Sequence, residues 1–153
     1  MKSHPESSPW HLEIPNTLQA AESLCGELLD KAKKQGFEES DRFAIHLALE
    51  EVFVNAVQHG NQSDPKKKIF VRYSITPDRF EVTIADQGPG FNPDALPDPR
   101  NPENLYKSSG RGVLLIRAYM DQVQYSPKGN QIHMVKFKSG SAPVSDLPES
   151  QPF

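Results

Sequence analysis

The sequence of 153 residues has a single cysteine, Cys25, so no internal disulfide can form. No apolar run approaches the ~20 residues that a membrane-spanning helix needs, and the N-terminus MKSHPESSPW lacks the apolar centre of a signal peptide. The chain also lacks a large excess of charge of either sign, because 17 Lys and Arg against 20 Asp and Glu give a net charge of -3. These absences argue against a disulfide scaffold, a membrane protein and a general nucleic-acid binder, and they favour a cytoplasmic location.

Several common catalytic motifs are missing as well. The sequence contains no Gly-x-x-x-x-Gly-Lys-Ser/Thr phosphate loop, no complete dinucleotide fingerprint, no His-Glu-x-x-His zinc motif and no eukaryotic-type kinase signature. The five histidines are scattered, which gives a metal cluster or a histidine-based triad little support. The length and a hydrophobic content of 36% indicate instead one ordinary globular domain.

The residue pattern predicts one folded domain at residues 10–138 between two disordered tails, 1–9 and 139–153, which are rich in Ser, Pro, Glu and Gln. Apolar spacing predicts helices over about 17–34, 40–60 and 113–120, with Cys25 buried in the first. Alternation predicts strands over about 10–14, 69–75, 80–84, 123–126 and 131–138. We therefore expect an α+β fold, a two-layer sandwich with helices on one face of a mostly antiparallel, mixed sheet.

Glu51 and Asn55 form the first candidate site. They lie four residues apart on the second helix, so their side chains share a face. A carboxylate there can take a proton from a hydroxyl, and an Asn carbonyl can bind Mg²⁺. The pattern by itself fits a solvent-exposed edge with helix-terminal capping better.

The segment Asp86-Gln87-Gly88-Pro89-Gly90-Phe91 forms the second candidate site, at the end of a strand. Gly88 and Gly90 let the backbone bend and approach a ligand closely. A buried, ionised Asp86 accepts hydrogen bonds only, so it would select the exocyclic amine of adenine over the carbonyl that guanine has at that position. An ordinary Asp-Gly turn fits the same pattern equally well.

The glycine-rich segment Ser108-Ser109-Gly110-Arg111-Gly112-Val113 forms the third candidate site, because it leads directly into a helix. Free N–H groups and the positive end of a helix dipole attract phosphate, and Arg111 can add a charged donor. Glycine at a helix N-cap is the alternative interpretation.

Taken together and in this order, the three segments resemble the N, G1 and G2 boxes of the GHKL ATPase superfamily, which includes DNA gyrase, histidine kinases and mismatch-repair ATPases. Within it, residues 51–61, 86–91 and 110–121 are most similar to the bacterial anti-sigma factor serine/threonine kinases. The likeness covers about residues 10–138. It implies the GHKL ATPase fold, with ATP bound between the helices and a mobile lid at residues 92–109.

The resemblance also implies roles for single residues: Glu51 as general base, Asn55 as Mg²⁺ ligand and Asp86 as the adenine-binding residue. Asn130 stands where many relatives carry a Thr near the adenine. The implied nucleotide contacts are Asn55, Asp86, Gly88, Gly90, Phe91, Gly110, Arg111, Gly112, Val113 and Asn130.

The implied activity is ATP- and Mg²⁺-dependent phosphorylation of a serine or threonine on a small anti-sigma antagonist protein of the STAS type. The implied protein is a homodimer that also sequesters a sigma factor, so that its partners exchange. A nucleotide-dependent binding module with negligible kinase activity is the alternative hypothesis. The catalytic piece of a histidine kinase is a weaker one.

Overall fold

One antiparallel sheet forms a layer of the fold in the computed structural model, which describes residues 10–90 and 108–139. Neighbouring strands follow the order β1-β2-β3-β5-β4, and all four pairings are antiparallel. The strands are β1 (Trp10–Pro15), β2 (Lys68–Ile75), β3 (Arg79–Ala85), β4 (Gln122–Tyr125) and β5 (Gln131–Phe137). The expected α+β class and antiparallel pairing are confirmed, and the described ranges contain no parallel pair that would make the sheet mixed.

Three helices form the second layer: α1 (Leu18–Lys34), α2 (Glu39–Val54) and α3 (Ser108–Tyr119). Helix α2 packs against both α1 and α3, and it continues into a π-helix (Asn55–Gly60). The N-cap of α1 is Thr17, whose hydroxyl accepts a hydrogen bond from the Ala20 N–H at 3.0 Å.

Helix α3 begins five residues earlier than the sequence predicts. Glycine has a low helix propensity, so the prediction placed Gly110 and Gly112 in a loop before the helix. In the structure both lie within the first turns of α3, where Gly112 is buried against α2. Tertiary packing therefore overrides local propensity at this position.

The core lies between the two layers. Alternate residues of the central strands point towards the helices, as the period of two requires. The largest fully buried side chains are Phe37, Phe53, Phe80, Leu28, Ile45, Leu49, Ile69, Ile84, Ile116, Met134, Val71 and Val82. Within the described part of the chain, no helix is long and apolar enough to span a membrane.

The predicted tails lie outside the described residues, except for Ser139. Its backbone N–H and hydroxyl both donate to the buried carboxylate of Asp41, at 2.9 and 2.7 Å. Nearby, the Lys138 ammonium donates to the carbonyl of Gln35 at 2.7 Å. The chain that leaves β5 is therefore attached to the junction between α1 and α2.

Cys25 should be a chemically inert thiol. Burial, with smaller contributions from Glu50 and Glu22, raises its pKa from 9.0 to about 12, which lowers the thiolate fraction about a thousandfold at a fixed pH. We expect the native protein to react with a thiol reagent at pH 8 at least that much more slowly than the urea-unfolded chain. Similar rates in the two states, followed by absorbance, would contradict the burial of Cys25.

Candidate functional site

A cavity of about 240 Å³ lies between the π-helix at the end of α2, helix α3 and strands β3 and β5. Its lining residues with polar side chains include Asn55, Asp86 and Asn130, as well as His59 and Gln131. The remaining wall is mostly apolar and includes Val52, Ala56, Ile84, Ile116, Tyr125 and Ile132. An apolar cleft with a few convergent polar groups is the usual form of a small-molecule site.

Asn55 is the first residue of the π-helix, and its side-chain carbonyl oxygen is buried. No hydrogen-bond donor reaches this oxygen within residues 10–90 and 108–139. Buried polar atoms are nearly always paired, so an unpaired carbonyl oxygen at a cavity is a candidate ligand-binding atom. The solvent-edge alternative, which the sequence pattern favoured, does not describe this oxygen.

Glu51 and Asn55 both face Gly112 of α3. A Cβ atom on Gly112 would lie 2.8 Å from Glu51 Oε2 and 3.1 Å from Asn55 Nδ2. The absence of a side chain therefore lets α3 approach the two polar groups closely. As a result, the Glu51 carboxylate and Gly112 lie beside Asn55, which lines the cavity, although Glu51 and Gly112 are not themselves among its lining residues.

Asp86 follows β3 directly and is fixed by its own loop. Its Oδ1 accepts a hydrogen bond from the Gly88 N–H at 2.7 Å, and its backbone N–H donates to the Asn130 carbonyl at 3.0 Å. Burial raises the pKa of the carboxyl group, while the Gly88 hydrogen bond and the charge of Lys67 partly oppose that change. Asp86 thus presents a desolvated acceptor to the cavity.

Two glycines allow the Asp86 loop to pack against neighbouring backbone. A Cβ atom on Gly88 would lie 1.9 Å from the carbonyl oxygen of Gly60, at the end of the π-helix. Gly90 has a φ of +82°, and a Cβ atom there would lie 1.8 Å from the carbonyl oxygen of Lys128. The sequence suggested that these glycines admit a ligand, but the fold itself already requires them.

Asn130 lies in the turn between β4 and β5. Its Oδ1 accepts a long hydrogen bond from the Ser126 hydroxyl at 3.3 Å, and its Nδ2 lies 3.5 Å from the Gly88 carbonyl oxygen. Its side chain therefore lines the cavity and bridges the turn to the Asp86 loop.

The remaining predicted site residues either do not line the cavity or have side chains that the structure does not describe. Val113 is buried in α3 without lining the cavity, and Gly110 is known only as part of the helix backbone. Phe91, the Arg111 side chain and residues 92–107 of the expected lid lie outside the described residues, whereas 108 and 109 belong to α3.

The sequence prediction missed the apolar wall of the cavity and the contact between Gly60 and Asp86. A Cβ atom on Gly60 would lie 2.2 Å from Asp86 Oδ2. A signal for the wall was present, because Ile84 and Ile132 stand two residues from Asp86 and Asn130 on the same face of their strands. No sequence signal showed that Gly60 meets Asp86.

A sequence profile described as the histidine kinase-like ATPase domain matches residues 14–136. The chain belongs to this family. The match spans α1, α2, α3 and all five strands apart from the first four residues of β1 and the last residue of β5, so it covers nearly all of the described fold.

Curated relatives in the family carry two names. The serine-protein kinase RsbW of Bacillus velezensis is 30% identical over 116 residues, which cover 71% of this chain and 72% of that protein. The anti-sigma F factor of Clostridium perfringens is 34% identical over 101 residues, which cover 60% of this chain and 69% of that protein.

A solved structure has the same fold. The crystal structure of the RsbU and RsbW domains of a Mycobacterium tuberculosis protein matches 91% of this chain, with a TM-score of 0.58 and 18% sequence identity. This chain covers 35% of that longer chain, so the likeness concerns one part of it.

Replacing Gly88 by Ala should destabilise the protein by about 2 kcal/mol or more, because the new methyl group meets the Gly60 carbonyl. Gly26 is the matched control, since a Cβ atom there meets nothing within 4 Å in the middle of α1. Gly26→Ala should stabilise the protein by about 0.5–1 kcal/mol. Urea unfolding measures both free energies, and equal effects of the two substitutions would contradict the described loop packing.

Proposed function

We propose that this chain is an ATP-dependent serine/threonine protein kinase that acts as an anti-sigma factor. The observation that carries the proposal is the unpaired, buried carbonyl oxygen of Asn55 in the same cavity as the desolvated carboxylate of Asp86. Relatives about 30% identical that are named serine-protein kinase or anti-sigma F factor support it. The kinase domain would comprise residues 10–138.

The polar groups of the cavity suit the two ends of ATP. Asp86 would accept a hydrogen bond from the adenine amine, with Ile84, Ile132 and Tyr125 providing apolar contacts around the base. The phosphates would extend past Gly112 towards the first turn of α3, whose first four backbone N–H groups lack partners within the helix. Asn130 would lie beside the base, and Phe91 and Arg111 would add contacts.

The Asn55 carbonyl fits a magnesium ion. Mg²⁺ binds oxygen ligands and takes most of them from water and phosphates, so one protein carbonyl is a sufficient anchor. When bound, the ion would neutralise charge on the phosphate oxygens. The Asn55 Oδ1 atom is well suited to this role because it has no competing donor within the described residues.

Glu51 would act as the general base. The substrate hydroxyl oxygen would form a bond to the γ-phosphorus as its proton moves to a Glu51 carboxylate oxygen. The bond from the γ-phosphorus to its bridging oxygen would break, and ADP would leave with that electron pair. The lack of a side chain on Gly112 brings the backbone of α3 close to Glu51 Oε2, on the side where the phosphates would lie.

The name of a relative, anti-sigma F factor, supports a sigma factor as one partner. We propose that the chain sequesters a sigma factor in the cytoplasm and phosphorylates a serine or threonine on a small STAS-type antagonist, and that it does so as a homodimer. Phosphorylation of the antagonist would weaken its binding, so that the kinase returns to the sigma factor. This exchange of partners needs both a kinase site and a binding surface.

Glu51→Gln should lower the rate of phosphoryl transfer to the antagonist at least ~100-fold, because the amide cannot accept the proton. Its Kd for ATP should stay within about twofold, since the side-chain shape is kept. Glu50→Gln is the control, because the neighbouring Glu50 is exposed and pairs with His46 on the outer face. Radiolabelled ATP measures transfer, and calorimetry measures binding.

Unchanged transfer by Glu51→Gln would exclude Glu51 as the base. ATP binding without transfer by the unmodified chain, tested against the antagonist encoded nearby, would favour the binding-module alternative. Equal losses for Glu50→Gln and Glu51→Gln would indicate a general effect of charge near the site.

Asn55→Ala should remove the dependence of ATP binding on Mg²⁺, because it deletes the unpaired carbonyl oxygen. In the unmodified protein, Mg²⁺ should tighten ATP binding at least about tenfold, as expected for a charge-neutralising ion. Gln58→Ala is the control, since Gln58 is an exposed amide in the same π-helix. Calorimetric titration of ATP with and without Mg²⁺ checks this, and a Mg²⁺ effect that persists in Asn55→Ala would contradict the assignment.

A further inference from the structure

Asn61 directly follows the π-helix and is completely buried, with 0% of its surface exposed. Both N–H donors of its side-chain amide are used, at 3.0 Å each, by the Asn16 side-chain oxygen and the Lys68 carbonyl. Its Oδ1 accepts from the Gln87 backbone N–H at 2.7 Å. These partners fix the orientation of the amide, because the reversed amide would place like groups together.

The hydrogen bond to Gln87 connects this buried group to the candidate site. Gln87 lies between Asp86, the proposed adenine acceptor, and Gly88, which donates to the Asp86 carboxylate at 2.7 Å. A second bond strengthens the connection, because the Lys68 N–H donates to Gln87 Oε1 at 2.6 Å. Hydrogen bonds to Asn61 and Lys68 therefore fix Gln87, the residue that follows Asp86.

The position of the Asp86 carboxylate depends on this attachment. The backbone N–H of Asp86 donates to the Asn130 carbonyl, and the next backbone N–H, that of Gln87, donates to the Asn61 side chain. Two bonds on adjacent peptide units restrict the rotation that would swing the carboxylate away from the cavity. Only the bond from Asn61 comes from a fully buried side chain.

We propose that Asn61 is a positioning residue for base recognition: by holding the Gln87 backbone, it aims the Asp86 carboxylate at the exocyclic amine of the nucleotide base. This inference rests on the proposed function, since it deepens the role of the same cavity. Asn61 acts through Asp86 and does not itself line the cavity.

The closing experiment measures preference for ATP over inosine triphosphate, which carries a carbonyl oxygen in place of the adenine amine. A carboxylate that is correctly aimed accepts from the amine and repels the carbonyl. The preference is the Kd for inosine triphosphate divided by the Kd for ATP. Asn61→Ala should lower this ratio at least about tenfold, which is the effect of one hydrogen bond to a charged group. A purely structural role would weaken the binding of both nucleotides equally and leave the ratio unchanged.

Two further variants separate positioning from stability. Asn61→Asp keeps the acceptor for the Gln87 N–H but loses both donors, so it should restore the preference for ATP while it remains less stable. Asn16→Ala removes another member of the buried network and leaves the bond to Gln87 intact, so it should lower stability without lowering the preference. Loss of the preference in proportion to stability across all three variants would overturn the proposal.

Amide hydrogen exchange tests the contact without relying on the folding of any variant. The Gln87 N–H of the unmodified protein should exchange slowly, because its acceptor is buried. The Lys66 N–H, which donates to the Asp64 carboxylate in an exposed turn, should exchange quickly. Fast exchange at Gln87 would overturn the proposal even if Asn61→Ala fails to fold.

The outcomes also separate this inference from the proposed function. If the unmodified chain binds neither nucleotide, the kinase proposal fails and this inference fails with it. If the unmodified chain prefers ATP and Asn61→Ala keeps that preference, only the role of Asn61 is overturned.

Discussion

The contact between Gly60 and the Asp86–Gly88 loop determines where the cavity lies. Gly60 ends the π-helix that continues α2, and Asp86 follows β3, so the contact joins the two layers at one end of the sandwich. It is close enough to exclude a side chain on either Gly60 or Gly88. Because Gly88 packs directly on the backbone of Gly60, and both lie at the ends of packed elements, the cavity walls on each side are held at a fixed separation.

The ionisation of Asp86 connects the stability of the fold with its proposed function. Burial raises the pKa of this carboxyl group in the folded state above its ordinary value of 3.8. The protonated form is thus favoured by folding, and ionised Asp86 subtracts from stability as the pH rises from about 3.8 through the folded pKa and above it. A base amine that donates to the carboxylate would offset part of this cost, so ligand binding and fold stability are coupled at this residue.

The sequence predicts the elements of this fold because each carries a local signal. Apolar spacing marks α1 and α2, alternation marks β2 and β3, and Thr17, a residue type that favours the N-cap, caps α1. The start of α3 was predicted wrongly, since the signal there is tertiary: Gly112 is helical because it packs against Glu51 and Asn55. The π-helix also escaped prediction, because its six residues keep an apolar pattern that an α-helix would share.

The candidate site was predictable only in part, for the same reason. Glu51, Asn55 and Asp86 stand out because polar groups in apolar surroundings need a partner or a function. That Glu51 and Asn55 share a face follows from helix geometry, but their closeness to α3 depends on how the helices pack. Asn61 gave no such signal, since a polar residue just after a helix is ordinary until the structure shows it to be completely buried.

Asn55 and Asn61, at the two ends of the π-helix, differ in whether their buried side-chain amide atoms have hydrogen-bond partners, and this difference distinguishes their roles. Asn61 has a partner for both side-chain donors and for its oxygen, so its burial costs little and fixes the chain around it. Asn55 lies six residues earlier, and its buried oxygen has no donor within the described residues. Such an atom costs the fold about 1–3 kcal/mol, unless something that the protein binds supplies the missing partner. The satisfied amide therefore belongs to the framework of the site, and the unsatisfied one marks where its ligand is expected.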